Sequence, residues 1–421
     1  MNTHKGLPIP FFSRWTRCAL AAFFLAATVF TGLTGASALA ARPDPMEARL
    51  DAAVAKALEE QRITGAVVAV SRQGRIVYRK AFGFADREAN TPMRVDTLFR
   101  LASMTKPLVS ATVLALADKG ALSLDDSVAK WLPWFTPALP DGTRPEITIR
   151  QLLTHTAGLS YGFLQPPNGP YATAKVSDGL DRPGITLEEN LRRLAGVALE
   201  FPPGSAFRYS LATDVLGAVA AKAGGDDLPG VVARLVTGPL GMFDTGFVVS
   251  SAARLARPYV RVQGALKPMA DPDYMPFGAS GVAFQPSRAF DPTAYPSGGA
   301  GMIGTADDYL AFLEAVRLGG KGIVRPQTAR AMTVDQTGGL KVALAGDGWG
   351  FGYGAAVLLD PAAAKNPGHA GNWGWGGIYG THFFMDKKAG LCVVVLTNTA
   401  PEGMIGPFPE SIASAVYGKA P

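Results

Sequence analysis

The spacing of apolar positions changes several times along this chain. Residues 43–61, P-D-P-M-E-A-R-L-D-A-A-V-A-K-A-L-E-E-Q, carry them at helical spacing. The next stretch, A-V-V-A-V-S-R-Q-G-R-I-V-Y-R-K-A-F-G, reads as a pair of strands meeting in a hairpin at Gln73-Gly74. From Ser103 the sequence S-M-T-K opens a helix that continues through L-V-S-A-T-V-L-A-L-A-D-K-G and stops at Gly120. Between about 121 and 290 the chain is rich in Pro and Gly, with helical pieces such as L-E-E-N-L-R-R-L-A and A-T-D-V-L-G-A-V-A-A-K-A-G and few convincing strands. Residues 298–320, G-G-A-G-M-I-G-T-A-D-D-Y-L-A-F-L-E-A-V-R-L-G-G, read as a glycine turn, an N-cap and a helix. The C-terminal part returns to strands, in G-F-G-Y-G-A-A-V-L-L-D, G-G-I-Y-G-T-H-F-F-M-D and L-C-V-V-V-L-T-N, and ends on a helix near S-I-A-S-A-V-Y.

Strand-forming residues therefore lie toward both ends, with helices between them. The simplest packing is an α+β fold, an α/β sandwich. One antiparallel sheet is built from both chain ends and flanked by helices, and a mainly helical lobe is inserted. The boundaries expected are 41–120 and 291–421 for the α/β lobe and 121–290 for the helical lobe. A cleft between two such lobes is where a pocket is expected.

Composition adds a compartment and removes several partners. Of 421 residues, 48% are hydrophobic and 18% charged, a globular balance. The first forty residues differ. Lys5, Arg14 and Arg17 precede the apolar run A-L-A-A-F-F-L-A-A-T-V-F, and Ala38-Leu39-Ala40 fits a small-x-small cleavage site. This predicts a secretory signal over 1–40, with Ala41 as the first mature residue and a periplasmic or secreted product. The run is short for a membrane anchor, and no later stretch could span a bilayer. Half of the net charge of +6 leaves with those three cations, and no basic run remains to hold nucleic acid. Cys18 leaves too, so Cys392 has no partner for an intramolecular disulfide, and its apolar strand marks it as a buried, inert thiol. His155, His369 and His382 survive processing, but none is paired at metal-ligand spacing, so no metal or cofactor is expected.

The candidate chemistry is Ser103-x-x-Lys106. The tetrad is common by chance, so its meaning depends on what surrounds it. A serine hydroxyl is a poor nucleophile and needs a base and donors for the oxyanion. Residues three apart share a helix face, so Ser103 and Lys106 can touch. Pro107 places the helix start, because a missing N–H costs little only in the first turn. Lys106 can take a proton only when uncharged, a state that burial and a second polar group favour. Tyr209, at the junction of the loop P-P-G-S-A-F-R with a following helix, is a third candidate, bonded to Lys106 as a proton shuttle.

Together Ser103-x-x-Lys106, Tyr209-Ser210-Leu211 and the intervening L-L-T-H-T-A-G-L resemble the serine β-lactamase and penicillin-recognising superfamily. L-S-L-D-D-S-V-A-K-W-L-P and S-G-G-A-G-M-I-G-T-A-D-D-Y fit its pattern as well. Within it the chain is most similar to family VIII carboxylesterases, relatives of class C β-lactamases. The resemblance implies that Ser103 is acylated and that Lys106 and Tyr209 form the general-base pair. It also implies that W-G-W-G-G-I-Y-G is the strand beside the serine. Trp375-Gly376-Gly377 would then stand where lactamases carry Lys-Thr-Gly, with the N–H groups of Ser103 and Ile378 as the oxyanion hole.

Two departures from the lactamase pattern bear on substrate. Leu211 replaces the Asn of Tyr-x-Asn, and Trp375 replaces a cation; the nearby Lys388-Ala389-Gly390 reads as a hairpin turn. The site thus loses an amide and a charge and gains apolar surface, with Leu211, Trp375, Gly376 and Gly377 as the expected substrate contacts. A hydrogen bond to a charged group contributes about 1.5–3 kcal/mol, so a charged lactam loses its anchors while a neutral ester does not need them. Hydrolysis of short-chain carboxylic esters is the expectation, with a small-molecule ester as partner. A weak β-lactamase or D-Ala-D-Ala carboxypeptidase and a non-catalytic ligand-binding relative are the alternatives.

A competing serine, Ser160, lies in Gly158-Leu159-Ser160-Tyr161-Gly162, which matches the Gly-x-Ser-x-Gly elbow. An elbow needs a strand before it and a helix after it; here a helix precedes and a loop follows. Tyr161 is nevertheless a candidate substrate contact from that loop, and His155 is expected to satisfy loop carbonyls. Trp373 and Tyr379 read as strand packing.

Overall fold

The computed structural model describes residues 45–181 and 184–419. The expected leader, 1–40, lies outside the described residues. The main sheet joins β1 (Gly65–Arg72), β2 (Arg75–Asp86) and β3 (Thr91–Pro92) to β4 (Trp349–Phe351), β5 (Ala356–Leu358), β6 (Trp373–Gly377), β7 (Thr381–Asp386) and β8 (Leu391–Thr397). Its order is β4-β5-β6-β7-β8-β1-β2-β3, and the neighbouring strands pair antiparallel throughout. The two chain ends meet where β1 pairs with β8, in the register Val68↔Val395. The long helices are α1 (Pro45–Glu59), α2 (Thr105–Asp118), α3 (Ala212–Gly224), α4 (Ala306–Arg317) and α5 (Pro407–Tyr417).

Both sheet faces are covered. Leu50 and Val54 of α1 and Ile412 and Val416 of α5 pack on Val68, Val70, Val393 and Val395. On the other face Val67, Ala69, Val394 and Leu396 join the larger core that holds α2, α3 and α4. That is why β1 and β8 read as continuous apolar runs with no alternation. Each such side chain taken out of water contributes about 1.5–3 kcal/mol. Cys392 of β8 is fully buried, and burial pushes its thiol up, away from the reactive thiolate.

The inserted segment holds more strand than its sequence suggests. Tyr259–Val262 pairs with Ala265–Pro268, and Asp273–Met275 pairs with Val282–Phe284. Ladders this short, bounded by Pro268 and Pro272, are too brief to show a period.

The segment around Ser103 is fastened to distant chain. Phe99–Arg100 pairs with Ile303–Gly304. The Leu101 N–H donates to the Met302 carbonyl (2.9 Å) and the Met302 N–H to Thr105 Oγ1 (3.0 Å). Tyr309 Oη donates to the Met104 carbonyl (2.9 Å). These bonds bring the glycine turn before α4 against the first turn of α2.

Candidate active site

Ala102 has φ +44°, a left-handed conformation that costs a residue bearing a Cβ about 1–2 kcal/mol. It turns the chain out of the Phe99–Arg100 strand into a 3-10 turn, Ala102–Met104, on which α2 starts at Thr105. Ser103 thus sits one turn ahead of an α-helix, half-buried, on the wall of a cavity of about 950 Å³. Gly377 makes this possible from the sheet side. A Cβ there would lie 2.1 Å from the Leu101 carbonyl oxygen, so only glycine lets the end of β6 close on the serine turn. The following residue, Ile378, lines the same cavity.

Lys106 has no solvent exposure. Its Nζ lies 3.3 Å from Ser103 Oγ, 2.9 Å from Tyr161 Oη and 2.8 Å from the Gly299 carbonyl oxygen. These are three acceptors for an ammonium; an uncharged amine can keep two of them and receive the Ser103 proton on its lone pair. The tyrosine bonded to Lys106 is therefore Tyr161, where the sequence pointed to Tyr209. Tyr209 presents its ring face to Lys106 instead, with Nζ 4.5 Å from the centroid. Its hydroxyl accepts from Trp375 Nε1 (3.2 Å). The reason lies in the loops: the backbone N–H groups of Gly162 and Phe163 donate to Asp178 (2.8 and 3.2 Å), which holds the neighbouring Tyr161 in the cavity wall.

Burial governs the ionisable groups here. It pushes the Tyr161 phenol well above its ordinary range, so this hydroxyl stays protonated. It pushes the Asp178 carboxyl up to about 7. His155 is pushed well below the ordinary histidine range by burial and then by the charge of Lys106. Its Nδ1 lies 3.1 Å from Ser210 Oγ, and its ring packs 5.0 Å from that of Tyr209. His155 thus supports Tyr209 from behind through a hydroxyl and a ring contact, not through the loop carbonyls expected.

The remaining sequence candidates divide. Trp375 and Gly376 line the cavity with Ser103, Tyr161, Tyr209 and Ile378. Leu211 does not. It is fully buried at the start of α3 and packs in the helical core, not in the cavity wall where a substrate contact was expected. Gly377 likewise packs against the Leu101 carbonyl and Thr381 Oγ1, behind the cavity lining. Ser160 is fully buried, preceded by the helix Ile149–Leu153 and followed by a 3-10 turn, an arrangement unlike a nucleophile elbow. Trp373 is wholly buried against Phe383, and Tyr379 packs on Phe284 and Arg100. His369 is bound to Asp386 (2.8 Å). Residues that the sequence reading passed over are Asp178, Asp214, Ser297 and Gly299. For Ser297 and Gly299 the signal in the chain is the run of small residues S-G-G-A-G-M.

His382 makes a test of the cavity's outer wall. Its Nδ1 lies 2.7 Å from the Gly403 carbonyl oxygen, and burial pushes the imidazole down to about 4. The unfolded chain takes this proton near pH 6.5 and the folded chain only near 4, so stability is lost as pH falls through that window, by up to about 3 kcal/mol. Asp178, raised to about 7, acts oppositely in the same range. The two separate in a His382→Leu variant, whose unfolding free energy is expected to fall less between pH 6.5 and 4 than that of the parent, measured by urea denaturation. A variant with the parent's acid slope would show that this imidazole contributes none of it.

The Beta-lactamase family model matches residues 50–408. Esterase EstB of Burkholderia gladioli is 51% identical over 378 residues, covering 89% of this chain and 96% of that protein. The solved structure described as EstCE1, a hydrolase with promiscuous acyltransferase activity, superposes with a TM-score of 0.86 at 46% identity, covering 89% of this chain and 99% of that one. An octameric penicillin-binding protein homologue from Pyrococcus abyssi shares the fold, with a TM-score of 0.68 at 24% identity over 88% of this chain and 77% of that one. With a family model spanning most of its length and a relative half identical to it, the chain belongs to the beta-lactamase family, within the serine β-lactamase-like superfamily of serine hydrolases.

Proposed function

We propose that this protein hydrolyses carboxylic esters through an acyl-enzyme on Ser103. The observation that carries the reading is the 3.3 Å approach of Lys106 Nζ to Ser103 Oγ in the wall of a largely apolar cavity. Uncharged Lys106 takes the hydroxyl proton as Oγ attacks the ester carbonyl. The N–H groups of Ser103 and Ile378 receive the developing oxyanion. Because the Tyr209 oxygen accepts from Trp375, its own proton is left for the cavity, where it serves the leaving alkoxide. The C–O bond breaks, alcohol departs, and a water entering the cavity takes the proton from Lys106 and returns one to Tyr209. Water then repeats the sequence on the acyl-enzyme, releasing acid and returning Ser103 and Lys106 to their starting states.

Two features support an ester over a charged lactam. Trp375 fills the position of the lactamase cation, and the relative half identical to this chain is named an esterase. Short acyl groups are the proposed acids, because three rings pack on one another in the cavity wall that also holds Ser103: the Tyr209 centroid lies 5.2 Å from that of Tyr161 and 5.3 Å from that of Trp375. A series of p-nitrophenyl esters of increasing chain length, assayed beside nitrocefin, tests this. The acetate and butyrate are expected to exceed the decanoate, and to exceed nitrocefin by about tenfold or more in kcat/KM, the factor that one lost ionic anchor supplies. Faster lactam turnover than ester turnover would overturn the assignment.

A further inference from the structure

Asp214 lies in the first turn of α3 and has no solvent exposure. Its Oδ1 accepts from Ser297 Oγ (2.7 Å), while Oδ2 is buried and makes no hydrogen bond among the described residues. A buried carboxylate oxygen left in this state is costly and calls for an explanation. Gly299 shows where it is aimed. A Cβ at that residue would lie 2.5 Å from Asp214 Oδ2, 2.8 Å from Tyr161 Oη and 3.4 Å from Lys106 Nζ. The three polar atoms converge on one spot, and glycine is the residue that lets them.

We propose that Asp214 is a positioning residue of the active site, the fixed counter-charge for the ammonium that Lys106 becomes when it takes the Ser103 proton. This rests on the reading of Lys106 as the base. Tyr161 Oη accepts from Lys106, so its own proton points away from the amine, and Asp214 Oδ2 is the unpaired acceptor near it. No hydrogen bond joins these two oxygens among the described residues, so Asp214 acts on the ammonium through its charge at close range while Tyr161 remains a neutral phenol. Ser297 holds the carboxylate in place, which couples the S-G-G-A-G-M turn to the base at two points, through Ser297 and through the Gly299 carbonyl. The other ionisable groups around this cluster include Tyr209, Asp178, Asp181, His155, Arg288 and Tyr295. Burial raises the Asp214 carboxyl above the usual carboxylate range, and the Ser297 bond, Lys106, Arg288 and the nearby Gly299 N–H act against it in favour of the ionised form.

The test is the pH profile of Asp214→Asn. The amide keeps the shape and the Ser297 bond but removes the charge. With the counter-charge gone, Lys106 gives up its proton more readily, so the acid limb of kcat/KM is expected to move to lower pH by about one unit or more. The plateau is expected to fall about tenfold to a hundredfold, because the ammonium formed in the transition state is less stabilised. The ratio of variant to parent activity therefore rises as pH falls, which a loosened structure would not produce. Ser297→Ala, which keeps the charge, is expected to lower the plateau less and leave the acid limb within about half a unit of the parent. An unmoved acid limb in Asp214→Asn, beside a Lys106→Met variant that has lost turnover, would overturn this proposal and leave Lys106 as the base. A Lys106→Met variant that keeps its turnover would instead remove the reading on which the proposal stands.

Discussion

Ser103→Ala lowers ester turnover by about a thousandfold or more, while Ser160→Ala leaves it within about twofold. The two serines offer the same atom in different surroundings. Ser103 follows the strained Ala102, stands on the cavity wall and has Lys106 Nζ at 3.3 Å. Ser160 is fully buried, and its Oγ reaches only the Tyr161 carbonyl, at 3.5 Å. No base faces it. The contact that matters at Ser160 is made by its backbone N–H, which donates to Tyr171 Oη (2.8 Å) and survives the substitution. Steady-state rates on p-nitrophenyl butyrate separate the two. Labelling with a fluorophosphonate and mass spectrometry of the modified peptide give an independent reading: the phosphonate is expected on the peptide containing Ser103. A label on Ser160, or an active Ser103→Ala enzyme, would end the assignment.

Lys106→Met is the second large effect, a loss of about a hundredfold to ten-thousandfold in kcat/KM, the range that a positioned base supplies. Met has similar length and volume, so the first turn of α2 keeps its packing. The substitution replaces a buried polar amine by an apolar side chain, which favours the variant. It also leaves Tyr161 Oη and the Gly299 carbonyl without their donor, at a cost of about 1–3 kcal/mol for a buried group. These oppose each other, so the urea midpoint moves little while activity collapses. A folded Lys106→Met protein that still turns over ester at close to the parent rate would show that some other group takes the Ser103 proton.

Much of this site is written locally. Ser103, Lys106 and Pro107 occupy one helical start, and the period-three relation that lets two of them touch is a property of any α-helix. β1 and β8 announce themselves as V-V-A-V and L-C-V-V-V-L because both of their faces are buried. The loss of a cation at Trp375 is likewise visible in the chain, once the strand W-G-W-G-G-I-Y-G is set beside the serine. Leu211 shows where such reading fails. Two residues beyond a cavity tyrosine, it looked like a wall residue, but the chain has by then entered α3 and its side chain faces the helical core.

The sequence alone determined the long helices, the long strands of the main sheet, the serine–lysine spacing and the apolar residue at position 375, since each follows from spacing within one element or from residue identity. Only the tertiary structure decided which hydroxyl meets the amine. The partners of Lys106 lie 55 and 193 residues away. Tyr161 reaches it, while Tyr209 turns its ring, because Asp178 grips the loop after Tyr161 and Trp375 takes the Tyr209 hydroxyl. Local periodicity assigns a residue to a face, but the meeting of two faces is set by strand pairing and loop anchoring far along the chain.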